Sequence, residues 1–115
     1  MIKLLQRFTP PIVHYRIEQY EHDGTLLRLK MVIEMNDNSL LHVKEYRFAD
    51  GSRKYAYHWL DATGQLRTRW DNAHHWPHIA TFPHHQHIER NDNVHPSTAT
   101  SLEAVLQRIQ QQVAS

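Results

Sequence analysis

Histidine is the side chain in this sequence that most plainly offers chemistry. The chain has 11 histidines, and most of them lie between residues 58 and 95. The members of that stretch are His58, His74, His75, His78, His84, His85, His87 and His95. Imidazole exchanges protons near neutral pH and also binds transition metals. We therefore expect the functional surface to lie within residues 55–87.

One interpretation of these histidines is a metal site. His85 and His87 are two residues apart, so in a β-strand both imidazoles project from one side and can clamp one ion. The residues that could complete a nitrogen and oxygen site are His75, Asp71, Asp92 and Glu89, and His75 with His85 and His87 is the set preferred here. A His-x-His pair is short and arises by chance, so the pattern alone does not establish a metal.

A second interpretation is acid–base catalysis on RNA without a metal. The 2′-hydroxyl of RNA can attack its own phosphodiester if one group removes its proton and another protonates the leaving oxygen. Histidine suits both roles because it titrates near neutral pH. Arg67 and Arg69 could offset the charge of the phosphorane without exchanging protons.

A third interpretation of the same histidines is structural. Buried imidazoles often only hydrogen-bond to backbone, and Phe82-Pro83 could dock the segment on the core. Some of the histidines must be of this kind, because so many cannot all take part in one reaction.

The strands that would carry this chemistry are predicted at residues 53–60 and 65–71, joined by the loop Asp61-Ala62-Thr63-Gly64. Pairing Leu60 with Gln65 sorts the side chains onto two faces. The first face is aromatic and apolar, which favours a core under a helix, and consists of Tyr55, Tyr57, Trp59, Leu66, Thr68 and Trp70. The second face places His58 opposite Arg67 and Lys54 opposite Asp71, with Arg69 between. This surface suits phosphate binding, although solvated faces of this kind are also common.

The remaining elements predict an α+β fold. Apolar residues alternate along residues 27–35, which is typical of a half-buried strand. Residues 74–83 hold two prolines and predict part loop and part edge strand. At the end, Thr100 and Glu103 fit a capping box before an apolar stripe at helical spacing. We expect an antiparallel β-meander of about five or six strands packed against one long C-terminal helix.

Length and composition predict one small intracellular domain. A chain of 115 residues with 40% hydrophobic residues can form one core, so residues 1–115 are expected to be a single domain. The absence of cysteine excludes disulfides and thiolate metal sites. No apolar run approaches the roughly 18 residues of a membrane helix, and no signal peptide is evident. These features predict a cytoplasmic protein without membrane contact.

Three blocks of the sequence resemble the TumE-like toxin family of type II toxin–antitoxin pairs. They are Tyr55-Ala-Tyr-His-Trp59, Arg69-Trp-Asp-Asn-Ala-His-His75 and Thr81-Phe-Pro-His-His-Gln-His87, and the helix opening Ser101-Leu-Glu-Ala-Val-Leu106 also fits the family. The resemblance implies a cytosolic growth-inhibiting toxin that a helix-turn-helix antitoxin binds and neutralises, and it leaves a homodimer open. In one departure, His74 and Trp76 stand where the family pattern has proline and a second histidine.

The resemblance and the chemistry together predict a metal-independent endoribonuclease with no cofactor and an RNA substrate. The predicted catalytic residues are His75, His85, His87, Arg69 and Asp71. The predicted substrate-binding residues are Lys54, His58, Arg67, Asn72 and His84. Two alternatives remain open: a histidine-rich metal-binding protein or metallohydrolase, and a non-enzymatic inhibitor that binds a host protein or the ribosome.

Overall fold

The computed structural model describes residues 2–113. Within them the chain forms a short N-terminal helix, seven strands and a C-terminal helix. In chain order the elements are α1 (Ile2–Arg7), β1 (Ile12–Asp23), β2 (Leu26–Met35), β3 (Leu40–Arg47), β4 (Arg53–Leu60), β5 (Leu66–Asp71), β6 (His85–Ile88), β7 (Val94–Pro96) and α2 (Leu102–Val113).

The seven strands of the described chain form one antiparallel meander in which each strand pairs with the next along the sequence. The α+β prediction is confirmed, but the expected five or six strands were too few. The edge strand predicted within residues 74–83 is wrong, since those residues are loop throughout. Strands β6 and β7 were missed because histidine and proline give no alternating apolar pattern. These two segments are extended because their backbones pair with a neighbouring strand: β6 pairs with β5, and β7 pairs with β6.

The core lies on one face of the sheet, under the helices. Met31 and Ile33 of β2, Leu41 of β3 and Trp59 of β4 are fully buried on this face, with alternate residues pointing away. The same cluster includes Leu5 of α1, Phe8 directly after α1, and Leu102, Val105, Leu106 and Ile109 of α2. The predicted aromatic face is confirmed as core, since Tyr55, Tyr57, Trp59 and Trp70 are all at most 2% exposed.

The C-terminal helix is shorter than expected and begins one residue later. Helix α2 spans 12 residues, which is about three turns rather than one long helix. Its N-cap is Ser101, whose hydroxyl accepts a hydrogen bond from the Ala104 backbone N–H at 3.2 Å. The predicted capping box of Thr100 and Glu103 is therefore wrong, and the Glu103 carboxylate instead pairs with Arg7.

The register of the β4–β5 hairpin also differs from the prediction. Leu60 pairs with Leu66 instead of Gln65, and a bulge next to this pair shifts the rest, so that His58 lies opposite Arg69. Asp71 lies opposite Ala56 instead of Lys54. The extra residue in the bulge is Arg67, which leaves the row of Arg69 and stacks over Trp59 on the core face.

A loop of residues 72–84 joins β5 to β6 and covers the second face of the sheet at these two strands. This loop carries Trp76 over the surface formed by β5 and β6. Among residues 2–113, no helix has the length and apolar character that a membrane crossing requires.

Candidate functional site

Strands β5 and β6 bring four chemically active side chains to the second face of the sheet. Arg69 pairs with His87, and Asp71 pairs with His85. Because side chains two residues apart in a strand project from the same face, all four lie together. We call Arg69, Asp71, His85 and His87 the β5–β6 cluster.

The Asp71 carboxylate is the centre of the β5–β6 cluster. It is 7% exposed, and its Oδ1 accepts a hydrogen bond from the Ala73 N–H at 3.0 Å. The same oxygen lies 2.9 Å from Nε2 of His85, while Arg69 Nε donates to Oδ2 at 3.2 Å. A buried carboxylate needs such partners to offset its lost hydration, and these contacts fix its orientation.

His87 is held in a defined neutral form. Its Nδ1 lies 2.8 Å from the Asn91 carbonyl oxygen, which can only accept a hydrogen bond, so Nδ1 carries the proton. Arg69 Nη2, which can only donate, lies 3.1 Å from Nε2. Burial, with the charge of Arg69 and the neighbouring His85 adding to it, lowers the pKa of His87. Nε2 of His87 therefore presents a lone pair at neutral pH.

His85 is oriented in a similar way but faces different partners. Its Nδ1 lies 3.0 Å from the Pro83 carbonyl oxygen, and its Nε2 faces Asp71. A carbonyl oxygen can only accept a hydrogen bond, so Nδ1 of His85 carries a proton, while its Nε2 lies within ion-pair distance of the Asp71 carboxylate.

Trp76 forms the wall that shields both imidazoles. Its ring packs edge-on against His85 and His87, with centroids 6.4 and 6.3 Å away. The two imidazoles themselves lie 4.9 Å apart between centroids. Each is 2% exposed, so the cluster lies in a low-dielectric environment where charges and hydrogen bonds act more strongly than in water.

The β5–β6 cluster lies in an open cleft of about 490 Å³. Lys54, His75 and Asn91 also line this cleft. Lys54 and His75 are exposed, and no hydrogen bond or ion pair joins His75 to another residue of the described chain. The structure thus brings His85, His87, Arg69 and Asp71 together and leaves His75 at the cleft wall.

His58 continues the cluster along the sheet. It pairs with Arg69 on one side and with His42 of β3 on the other, and the rings of His58 and His42 lie 6.5 Å apart. Burial, followed by the charges of Arg69, His42 and His87, lowers the pKa of His58. The row of His87, Arg69, His58 and His42 therefore runs across the second face of the sheet, beside the cleft.

Three residues predicted to bind substrate use their polar atoms inside the fold. Arg67 pairs with Asp37 at 3.0 Å on the core face. The Asn72 amide accepts from the Tyr55 N–H at 3.0 Å and donates to the Arg53 carbonyl at 2.9 Å, which extends the β4–β5 pairing by side chain. His84 Nδ1 lies 2.8 Å from the Tyr55 hydroxyl.

Sequence reasoning missed the groups that orient the imidazoles. Trp76 was noted only as a departure from the family pattern, and the Pro83 and Asn91 carbonyls were not considered. A carbonyl carries no signal in a residue pattern, since every residue has one. One pattern in the sequence could have indicated the cluster: Arg69 and Asp71 are two residues apart, and so are His85 and His87. When the two segments pair as antiparallel strands, all four side chains lie on one face.

The arrangement is chemically versatile. It offers a neutral imidazole lone pair, an imidazole N–H beside a carboxylate, and a guanidinium, which together can exchange protons with an anionic substrate. The donor atoms of Asp71, His85 and His87 also lie within 4.8 Å of one another, which is close enough to hold a metal ion.

Comparison with known proteins gives one match. The family described as Toxin TumE matches residues 1–114, whereas no curated protein and no solved structure matches the chain. Because the family match covers nearly all of the 115 residues, the chain belongs to the TumE toxin family.

Proposed function

We propose that this chain is the toxin of a type II toxin–antitoxin pair and that it cleaves RNA at the β5–β6 cluster. The observation that carries the proposal is the meeting of two imidazoles, a carboxylate and a guanidinium in one cleft. Family membership supports a toxin, and the cluster supports proton transfer to and from a phosphodiester.

The proposed reaction is attack of a 2′-hydroxyl on its own phosphodiester. Nε2 of His87 takes the 2′ proton, the new O–P bond forms, and the bond from phosphorus to the 5′-oxygen breaks. His85, or His75 from the cleft wall, donates the proton to that leaving oxygen. The products are a 2′,3′-cyclic phosphate and a free 5′-hydroxyl, so no cofactor is consumed.

Arg69 and Asp71 support these transfers without changing protonation. The Arg69 guanidinium lies against both His87 and Asp71 and is 31% exposed on its side chain. It is therefore the first group of the cluster that an entering phosphate meets, and it offsets the charge of the phosphorane. Asp71 positions His85 through its Oδ1.

Lys54, in the wall of the cleft, and His58, beside the cleft, are the proposed substrate contacts. Lys54 lines the cleft and is exposed, so it can contact a neighbouring phosphate of the bound RNA. His58 lies beside Arg69 in the same row. Arg67, Asn72 and His84 act instead through the fold, since their polar atoms already have partners there.

The test is incubation of purified, chelator-treated protein with RNA, with the product ends identified. His87→Gln is expected to slow cleavage by about 10²–10⁴-fold, the usual loss for one proton-transfer group. Arg69→Gln should slow it by about 10²–10³-fold, as loss of a charge-stabilising donor does. His74→Ala is the control, because His74 is an exposed histidine of the loop of residues 72–84 and is none of the groups proposed to act on RNA. Cleavage that survives His87→Gln unchanged, or no cleavage of any RNA, would overturn the proposal.

A further inference from the structure

The two imidazoles of the β5–β6 cluster are arranged as metal ligands are. In proteins, a histidine that binds a metal through one nitrogen usually donates its other N–H to a carbonyl or carboxylate, which fixes the ring. His85 and His87 both direct Nδ1 to a backbone carbonyl, of Pro83 and Asn91 respectively. Both Nε2 atoms are thereby turned toward Asp71.

The distances between these donor atoms are close to the distances between the ligand atoms of a bound zinc ion. Ligands of a tetrahedral zinc ion at 2.0–2.1 Å lie about 3.3 Å from one another. Nε2 of His85 and of His87 lie 2.9 and 3.5 Å from the two oxygens of Asp71. All the donor atoms lie within 4.8 Å, so the widest pair would close by at most about 1.5 Å on binding.

The donor set points to one class of cation. Two imidazole nitrogens and one carboxylate oxygen favour borderline transition metals such as Zn²⁺ over Mg²⁺ or Ca²⁺, which prefer oxygen. Three protein ligands leave at least one coordination position for water, and the cleft provides the opening for it.

A cationic group already lies at the place where the metal would bind. Arg69 places Nη2 3.1 Å from Nε2 of His87 and Nε 3.2 Å from Oδ2 of Asp71, so it contacts two of the three donors. Nε2 of His87 has a single lone pair, so it cannot accept from the guanidinium and ligate a metal ion at the same time, and the like charges of the two cations repel. The Arg69 side chain is 31% exposed, so it can turn into the cleft.

We infer that Asp71, His85 and His87 form a binding site for a divalent transition-metal ion of the Zn²⁺ class, which competes with the Arg69 guanidinium. The inference rests on the proposed function in one respect: a bound ion takes the His87 lone pair that accepts the 2′ proton. Metal occupancy therefore inhibits the acid–base nuclease. Chelation restores its activity.

The direct test is calorimetric titration of the chelator-treated full chain with Zn²⁺, without RNA. One ion per chain is expected. His85→Gln and His87→Gln should each weaken binding by at least about 100-fold, since loss of an outer-shell partner alone typically costs about 10–100-fold. His74→Ala, the matched control, should bind as the unaltered chain does.

Arg69→Gln tests the competition, because this variant keeps all three ligands. It should bind Zn²⁺ more tightly than the unaltered chain, whereas a site without competition would show equal affinity. Near-UV circular dichroism of each metal-free variant checks the fold. If a histidine variant does not fold, Co²⁺ titration of the unaltered chain and of Arg69→Gln is used instead. The visible absorption bands of tetrahedral Co²⁺ then report whether the ion binds the predicted ligands.

Several outcomes would overturn the inference: no binding by the unaltered chain, binding that His85→Gln and His87→Gln leave intact, or no gain in Arg69→Gln. Activity separates this inference from the proposed function. RNA cleavage in chelator with no zinc binding refutes the metal site alone. Zinc binding without cleavage under any condition refutes the nuclease alone. Cleavage that requires zinc refutes the inhibitory role and the metal-free reaction.

Discussion

At the scale of single residues, the partners of each imidazole determine what it can do. His85 and His87 project from the same side of β6 and both direct Nε2 toward Asp71, yet Nε2 of His87 also contacts the Arg69 guanidinium, whereas Nε2 of His85 lies closer to the carboxylate. The carboxylate favours a donating N–H on His85, while the guanidinium demands a lone pair on His87. This difference in partners is the basis of the opposite proton-transfer roles that we propose for the two imidazoles.

His58 gives a prediction about pH. Its pKa is lowered by burial and by the neighbouring charges of Arg69, His42 and His87. A folded-state pKa below the unfolded value means that the unfolded chain binds the proton first as pH falls. The contribution of His58 to stability is thus full above the unfolded value of about 6.5 and is lost as pH falls toward the folded value.

We therefore expect His58→Gln to flatten the dependence of the melting temperature on pH. Thermal unfolding between about pH 7.5 and 5.5 measures this slope. His14→Gln is the control, because His14 is exposed on β1 and its replacement should leave the slope unchanged. Equal slopes for His58→Gln and the unaltered chain would contradict the prediction.

At the scale of elements, the start of α2 is determined by one hydroxyl. The Ser101 side chain accepts from the Ala104 N–H, while the Thr100 backbone carbonyl accepts from Arg53 Nη2 at 3.0 Å. Both residues are good N-caps by type, and Glu103 three residues after Thr100 favoured the wrong one. Burial of Leu102 against the sheet decides the phase of the helix and so the cap.

Ser101→Ala should destabilise the protein by about 1 kcal/mol, the usual cost of losing an N-cap hydroxyl. Thr100→Ala serves as its matched control and should change stability by less than about 0.5 kcal/mol, since it leaves the cap intact. Urea unfolding followed by circular dichroism measures both. A larger loss for Thr100→Ala would restore the capping box as predicted.

Strand β6 shows how far local pattern reaches. The spacing of His85 and His87 implies that both imidazoles project from one side if the segment is a strand, and the structure shows that it is one. The sequence does not show that β5 is the neighbour of β6, because strands pair through backbone hydrogen bonds that almost any sequence can make. The bulge at Arg67 likewise has no residue signal, and a single extra residue moved Arg67 to the other face.

At the scale of the whole molecule, one face of the sheet forms the core and the other carries the β5–β6 cluster. The helices cover the apolar face, while the loop of residues 72–84 covers only part of the other. The cluster is thus buried by a loop over a rigid sheet, which holds functional groups more firmly than a loop alone would. An opening remains through the cleft beside Lys54 and His75.

Membership of a toxin family makes a prediction for the intact cell. Induced expression of the chain alone should arrest growth, and coexpression of a helix-turn-helix antitoxin encoded beside it should restore growth. His87→Gln, at matched soluble levels, should lose the toxicity that His74→Ala retains. Full toxicity of His87→Gln and of His85→Gln would instead favour a non-enzymatic inhibitor that binds a host protein or the ribosome.

The sequence by itself determined the α+β class, the aromatic core face and the family, because each of these follows from local alternation or from residue identity. Only the tertiary structure decided which groups meet. Asp71 and His85 are far apart in sequence, and their contact depends on strand pairing and on a loop that buries them. Proton chemistry and metal binding depend on distances of a few ångströms, which a pattern of residue types does not contain.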